Sequence, residues 1–176
     1  LHRRRHSFPT RRSSDLNEKL KTITYIQALG TLFAKAQRVV FNTAILHNYL
    51  PIADLTMASR AAELCKADLA TELVAEFPQL QGIVGRTYAL AHGESLEVAQ
   101  AIEESWMPKL ENAPLPTSPA GCLVSLADKC DNLVSCFAIG LKPTSSSDPY
   151  ALRRQVVAII KMLIERKCHL PLRETL

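Results

Sequence analysis

Apolar residues recur at every third or fourth position along most of this chain, which is the repeat of helices that bury one face. The repeat predicts one long helix over residues 17–50, loosened at Gly30 and ended by Pro51. A second predicted helix begins after Asp54, a suitable N-cap, and stops before Pro78. No stretch alternates apolar with polar residues, so the pattern indicates no strand.

Four further helices are predicted where a capping residue or a proline precedes an apolar repeat. Their approximate ranges are residues 78–92, 95–107, 118–140 and 148–168. Ser95, Ser118 and Asp148 are the predicted caps of the last three. Prolines predict an extended surface connection over residues 108–119, and polar residues predict a turn over 141–148. Six helices without a convincing strand favour an all-α fold, a compact helical bundle without an internal repeat.

The composition fits one helical domain, because 47% of the 176 residues are hydrophobic and only 6 are glycine. No apolar run approaches the roughly 20 residues of a membrane span, and no export signal opens the chain. We therefore expect a soluble, cytoplasmic protein without a membrane partner. The cysteines form no C-x-x-C pair, so reduced and mostly buried thiols are expected rather than disulfides or a zinc site. They are Cys65, Cys122, Cys130, Cys136 and Cys168.

The formal charge of +4 is concentrated in residues 1–16, which hold five arginines. This segment has no helical repeat and has two interpretations. It could be a disordered basic arm that binds phosphates, or an artefact, since "FPTRRSSDL" resembles the translation of sequencing-adapter DNA joined to gene fragments. Without its five arginines and one aspartate, the formal charge falls from +4 to zero. We expect a neutral domain over residues 17–170 and a short tail over residues 171–176.

The stretch "SLADKCDNL" places Asp128 and Asp131 three positions apart in an apolar run. On a helix, Asp128 is expected on a polar strip opposite a broad apolar face, with Asp131 at the border. The other members of the strip are Ser125, Lys129 and Asn132. The strip can be the solvated side of a core helix. A metal site is the alternative, but two carboxylates need further ligands from elsewhere in the chain.

The sequence lacks the motifs of a self-contained enzyme. There is no phosphate-binding loop, dinucleotide fingerprint or nucleophile elbow, and His47, His92 and His169 stand alone. We therefore predict no catalytic residue in this chain. Arg153 and Arg154 fall in the first turns of the last predicted helix, where cations oppose the helix dipole. This unfavourable placement indicates a carboxylate or phosphate partner.

A resemblance to a known family is carried by stretches that occur in the family's order, "EKLKTITYIQALGTLFAKAQR", "CKADLATELVAEFPQLQGIVGRTYALAHGE", "VAQAIEESWMP", "LADKCDNLVSCFAIGLKPT" and "DPYALRR". Residues 17–167 are similar to the middle of the β subunit of bacterial-type, α2β2 glycyl-tRNA synthetase. The resemblance implies an HD-like helical domain and an internal fragment that is inactive by itself. It also implies that the α subunit forms glycyl-adenylate from glycine and ATP with Mg²⁺, whereas the β subunit binds and positions tRNA(Gly).

HD proteins bind metals through a histidine, an adjacent His-Asp pair and a later aspartate. Asp128 resembles the later aspartate, but Cys65 and Lys66 stand where the pair is expected. A protonated lysine offers a metal no lone pair, so the resemblance implies that the metal site is lost. Lys66 is then expected to approach Asp128 as its counter-charge. These three residues and Asp131 are predicted to have a structural role.

For tRNA contact we predict a local basic cluster, because a neutral domain can still bind a phosphate backbone. Its predicted members are Arg86, Lys129, Lys142, Arg153 and Arg154. Two other functions remain open. One is an HD-type, metal-dependent phosphohydrolase that acts on nucleotides, and the other is a scaffold between the remaining β-subunit domains without tRNA contact.

Overall fold

The computed structural model describes residues 13–171, and most of this part of the chain is helical. The described residues form the helices α1 (Ser13–Lys19), α2 (Leu32–Tyr49), α3 (Leu55–Leu64), α4 (Glu72–Glu76), α5 (Ile83–Ala91), α6 (Leu96–Glu104), α7 (Pro119–Ala138) and α8 (Leu152–Glu165). A two-stranded sheet, β1 (Thr24–Ile26) and β2 (Gly30–Thr31), precedes α2. The all-α class is confirmed, with this small sheet as the exception.

Helix α7 is the central helix of the bundle. It contacts α2, α3, α6 and α8, and every residue from Ala120 to Asp131 is buried. Its apolar side joins the main core, where Val39 of α2, Ala61 of α3 and Ile102 of α6 are at most 1% exposed. Polar side chains on α7 are therefore largely surrounded by protein.

The first predicted helix is wrong in its N-terminal half, because residues 20–31 form two 3₁₀ turns and the antiparallel pair β1–β2. The sequence "TITYI" is rich in β-branched and aromatic residues, which favour strands. Gly30 has a φ of +81°, in the left-handed region that favours glycine. Thr31 then caps α2, since its side chain accepts a hydrogen bond from the Ala34 N–H.

The N-caps predicted for three helices are confirmed. Asp54, Ser95 and Ser118 each accept a backbone N–H through a side-chain oxygen, at the starts of α3, α6 and α7. The predicted connection after α6, up to residue 118, and the turn before α8 contain neither helix nor strand, as expected. Local capping chemistry therefore located these starts correctly.

A turn interrupts the second predicted helix, and the third begins later in the sequence than predicted. The 3₁₀ turn Ala67–Ala70 buries Asp68, whose Oδ2 accepts the Gly82 N–H at 2.6 Å. Gly82 has a φ of +84°, and a Cβ there would come within 2.8 Å of the Trp106 ring. Because this close approach fixes the chain at Gly82, α5 begins one residue later, at Ile83.

The last helix also begins later than predicted, at Leu152. Asp148 nevertheless acts on its first turn, since Oδ1 accepts the Leu152 N–H at 2.8 Å and Oδ2 accepts the Arg153 N–H at 3.1 Å. Ala151, which lies between Asp148 and Leu152 in the sequence, has a left-handed φ of +52°. The predicted cap is therefore correct in its chemistry, although the first helical residue lies further along the chain.

Glu104, at the end of α6, holds the start of α7. Its carboxylate accepts the N–H groups of Thr117 at 3.1 Å and Ser118 at 2.9 Å, together with both hydroxyls. Burial acts to raise the pKa of this carboxyl, but the hydrogen bonds from Ser118 and Thr117 lower it below its ordinary value. Gly121 packs against this group, and a Cβ there would lie 2.6 Å from Glu104 Cβ. The first turn of α7 therefore leaves no room for a side chain at Gly121.

Helix α1 overlaps the N-terminal segment that the charge pattern sets apart. Leu16 is 4% exposed, and α1 contacts α3 and the turn Ala67–Ala70. Residues 1–12 and 172–176 lie outside the described residues, so the artefact or basic arm and the tail stay predictions. Between residues 13 and 171, no helix is both long enough and apolar enough to span a membrane.

Candidate functional site

Helix α7 carries two carboxylates into the interior of the bundle. Asp128 is 7% exposed and Asp131 is 3% exposed. The predicted solvated strip is wrong, since Ser125 and Lys129 are buried as well. The central position of α7 is the cause, because neighbouring helices cover the face that a peripheral helix would leave in water. Buried carboxylates require counter-charges or hydrogen-bond donors within the protein.

Two lysines neutralise Asp128. Lys66 Nζ lies 2.9 Å from Oδ2, and Lys35 Nζ lies 2.9 Å from Oδ1. Burial acts to raise the pKa of the Asp128 carboxyl, yet the charges of the surrounding lysines hold it well below its usual range. The structure thus brings Lys66 and Asp128 together, as the resemblance implied, and adds a second cation.

Asp131 shares one of these lysines and has an arginine of its own. Lys35 Nζ lies 3.0 Å from Asp131 Oδ2 and so bridges the two carboxylates. Arg38 donates from Nε to Oδ1 at 2.7 Å and from Nη2 to Oδ2 at 3.3 Å, a two-pronged contact. We call Lys35, Arg38, Lys66, Asp128 and Asp131 the charge cluster.

The sequence predictions omitted Lys35 and Arg38, although one signal pointed to the lysine. Lys35 follows Leu32 by three positions and precedes Val39 by four, so it occupies the buried stripe of α2. Burial acts to lower the pKa of Lys35, but the two aspartates raise it above its ordinary value. A lysine on a buried stripe therefore predicts a buried carboxylate partner, which α7 supplies.

Cys65 and Lys66 meet the aromatic ring of Trp106. Lys66 Nζ lies 3.9 Å from the ring centroid, and the indole Nε1 donates to the Cys65 carbonyl at 3.1 Å. Burial raises the pKa of the Cys65 thiol to about 11, so the sulfur stays protonated at neutral pH. Cys65 is therefore neither a reactive thiolate nor a ready metal ligand.

The charge cluster does not fit the metal that an HD site would hold. Within residues 13–171, no three His, Cys, Asp or Glu side chains gather in a way that could bind a metal ion. Both Asp128 oxygens face lysine ammonium groups, which repel a metal cation and offer it no lone pair. The charge cluster is a network of ion pairs between lysine or arginine and aspartate.

Lys129 lies beside the cluster but has different partners. Its Nζ donates to the Met107 carbonyl at 2.8 Å and to Ser125 Oγ at 2.7 Å. The side chain is buried, and this burial lowers the pKa of the ammonium to about 8. Because Lys129 is only 6% exposed, a tRNA backbone that lies across the outer surface would not reach its Nζ, and the predicted contact would require a group that enters the protein surface.

The shifted pKa of Lys129 makes a testable prediction about pH. Between pH 8 and the ordinary lysine value of 10.5, the unfolded chain binds a proton that the folded chain has released, so stability rises with pH. The free energy of unfolding of wild type minus that of Lys129→Met should therefore increase by about 2 kcal/mol from pH 7 to pH 10. Urea titrations at four pH values measure this difference. A difference between wild type and Lys129→Met that stays flat over this pH range would contradict the prediction.

A cleft of about 320 Å³ opens beside Lys129. It lies between α7, the start of α8 and the segments around Gln79 and Trp106. Its polar and aromatic walls include Trp106, Lys109, Asp128, Lys129, Tyr150 and Arg154. Two of the residues predicted to contact tRNA, Lys129 and Arg154, therefore face the same cleft.

Three of the predicted tRNA contacts lie around the start of α8. Lys142, Arg153 and Arg154 are exposed, and the Arg153 guanidinium donates to the Thr144 carbonyl, which joins the preceding turn to the helix. We call these three cations the basic edge. Arg86 differs from them, because it lies on α5 and pairs with Glu103 of α6 at 2.8 Å.

Comparison with known proteins places the chain among the aminoacyl-tRNA synthetases as a class. A family model described as the glycyl-tRNA synthetase beta subunit matches residues 10–176. A glycine–tRNA ligase beta subunit from Geobacter sulfurreducens is 48% identical over 88% of this chain and 23% of its own length. The chain belongs to the glycyl-tRNA synthetase β-subunit family.

Other relatives give the same result. The glycine–tRNA ligase beta subunit of Chromohalobacter salexigens is 42% identical over 98% of this chain and 24% of its own length. The corresponding protein of Pseudomonas syringae pv. tomato is 46% identical over 90% of this chain and 23% of its own length. The chain therefore spans about a quarter of the length of the curated relatives it matches.

Proposed function

We propose that this chain is part of a glycine–tRNA ligase β subunit and helps to bind and position tRNA(Gly) for aminoacylation. The observation that carries the proposal is the match of nearly the whole chain to this family, with 48% identity to one relative. In this proposal the separate α subunit forms the adenylate from glycine and ATP with Mg²⁺, in an α2β2 enzyme of the cytoplasm. The other β-subunit domains are the immediate neighbours of this one.

The basic edge supports a contact with the tRNA backbone. Its three cations are exposed, and the hydrogen bonds of Arg153 and Asp148 fix the geometry of the turn that carries them. Lysine and arginine side chains in such a position neutralise phosphates without reading sequence. The HD-like character of the fold and the structural role of the charge cluster belong to the same proposal. The described residues present no feature that favours the phosphohydrolase.

Removing the three charges of the basic edge should weaken tRNA binding by about tenfold at moderate salt. With fewer phosphate contacts, fewer counterions are released from the tRNA on binding. The variant is Lys142→Gln, Arg153→Gln and Arg154→Gln together, in a complete synthetase that contains this sequence. Filter binding of tRNA(Gly) at several salt concentrations measures both the affinity and a shallower salt dependence. Exchange of pyrophosphate into ATP, which reports adenylate formation alone, should keep its wild-type rate.

A matched control removes three cations elsewhere, through Lys19→Gln, Lys21→Gln and Lys161→Gln. This variant has the same net charge as the basic-edge variant and should bind tRNA(Gly) like the wild type. Equal affinities for all three enzymes would favour the scaffold function, in which the domain touches no tRNA. Equal losses in both variants would show that net charge alone, rather than the basic edge, governs binding.

A further inference from the structure

The cleft beside α7 has an excess of positive charge. Three cations line it, Lys109, Lys129 and Arg154, against one carboxylate, that of Asp128. That carboxylate is already neutralised from behind by Lys35 and Lys66. An anion in the cleft would therefore meet uncompensated positive charge and little opposing charge.

Among the residues that the structure describes, two of these cations have no counter-ion within hydrogen-bonding distance. Lys129 Nζ donates only to neutral oxygens, the Met107 carbonyl and Ser125 Oγ. The Arg154 side chain, in the part of the chain that the structure describes, makes neither a hydrogen bond nor a salt bridge. Lys109 differs, because it donates to the carbonyls of Gln79 and Gln81. A buried ammonium and an uncommitted guanidinium that share one cleft are suited to a phosphate group.

The remaining walls suit the rest of a nucleotide. Trp106 and Tyr150 contribute aromatic rings, and Pro78, Pro108 and Ala158 contribute apolar surface. Unpaired bases in protein sites stack on such rings, each stack being worth about 1–3 kcal/mol. The volume of about 320 Å³ is at the small end of ligand sites and suits one nucleotide rather than a duplex.

We propose that this cleft binds a single nucleotide, with the phosphate on Arg154 and Lys129 and the base against Trp106 and Tyr150. The ligand can be an unpaired residue of an RNA strand or a free nucleoside monophosphate, which share this chemistry. An RNA strand as the source of the nucleotide rests on the proposed function, whereas a free nucleoside monophosphate as the source does not.

The test uses the complete synthetase that contains this sequence, with its adenylate-forming sites filled by a non-hydrolysable glycyl-adenylate analogue. Equilibrium binding of labelled AMP and of a three-nucleotide single-stranded RNA is then measured for wild type, Arg154→Gln and Lys161→Gln. Lys161→Gln is the matched control, since it removes a cation from the same helix outside the cleft. We expect Arg154→Gln to weaken binding about tenfold or more and Lys161→Gln to leave it unchanged.

The two probes distinguish the sources of the nucleotide. Tighter binding of the trinucleotide identifies an RNA strand as the ligand, and tighter binding of AMP identifies the free nucleotide. Inorganic phosphate should compete at least tenfold more weakly than the better probe, because it lacks a base to stack. Failure of both probes to bind, equal binding by wild type and Arg154→Gln, or equal competition by phosphate would overturn the inference. The proposed function would stand in each case if the basic-edge variant still loses affinity for tRNA(Gly).

Discussion

Replacing Asp128 by asparagine is expected to lower the free energy of unfolding by about 3–5 kcal/mol, because removing one partner of a buried ion pair leaves uncompensated charge. Asp128 is 7% exposed and pairs with both Lys35 and Lys66 at 2.9 Å. Lys35 retains Asp131 after the substitution, but Lys66 loses its only carboxylate partner within the described residues. Urea unfolding of the 176-residue chain, followed by circular dichroism, measures the loss.

A double variant separates the ion pair from the rest of the site. Lys66→Met removes the unpaired ammonium, so Asp128→Asn with Lys66→Met should be more stable than the sum of the single losses predicts. Glu111→Gln makes the same chemical change at an exposed position and should alter the free energy of unfolding by at most about 0.5 kcal/mol. Additive losses in the double variant would mean that Asp128 and Lys66 do not stabilise one another.

At low pH, wild type and Asp128→Asn should approach the same free energy of unfolding. The pKa of Asp128 is below its ordinary value of 3.8 in the folded chain, because the neighbouring lysines favour the carboxylate despite its burial. A carboxyl with a depressed folded pKa contributes its full stability above the unfolded pKa and loses it as the pH falls through the folded value. The difference in free energy of unfolding between the two proteins should therefore be constant above about pH 5 and decrease below about pH 4.

Gly121→Ala is expected to destabilise the chain by about 2–4 kcal/mol, through overpacking and lost hydrogen bonds. At an exposed helical site the same change would stabilise by roughly 0.5–1 kcal/mol. Here the added Cβ would lie 2.6 Å from Glu104 Cβ and 2.7 Å from Ser118 Oγ. Glu104 would have to withdraw from the backbone N–H groups of Thr117 and Ser118. Thermal and urea unfolding both measure the effect.

Gly93→Ala is the control for this substitution. Gly93 has a φ of +87°, and an added Cβ there would meet no atom within 4 Å. Its cost is therefore only that of a left-handed alanine, about 1 kcal/mol. A Gly121→Ala variant as stable as wild type would show that Glu104 can move aside without loss.

The starts of the helices could be predicted from capping residues close by in the sequence. The turns that interrupt the predicted helices depend instead on contacts between distant residues. Ser95 and Ser118 act within three residues of themselves, so the sequence around them contains the information. The turn at Asp68 depends on Gly82, fourteen positions away, and no repeat of apolar residues records such a contact. The same limit explains why the residues of β1 were assigned to a helix, since apolar spacing alone does not exclude a short strand.

The candidate site shows the same division. Resemblance placed Lys66 near Asp128, and the structure gives that contact at 2.9 Å. The second lysine, Lys35, lies on the buried stripe of α2, and the apolar repeat by itself does not identify a charged residue at such a position. Lys129 was expected on a solvated strip of a core helix, whereas the packing of α2, α3, α6 and α8 around α7 buries it.

The charge cluster has a consequence for the order in which the chain folds. Its contacts join residues 96, 93 and 62 positions apart, so they form only after long loops have closed. Until α2, α3 and α7 have met, the lysines and aspartates remain hydrated, since an ion buried without its partner costs several kcal/mol. Partly assembled bundles are thereby penalised, and the transition between the unfolded and the folded chain becomes sharper. An ion-pair network of small net worth in the finished structure can in this way make folding more cooperative.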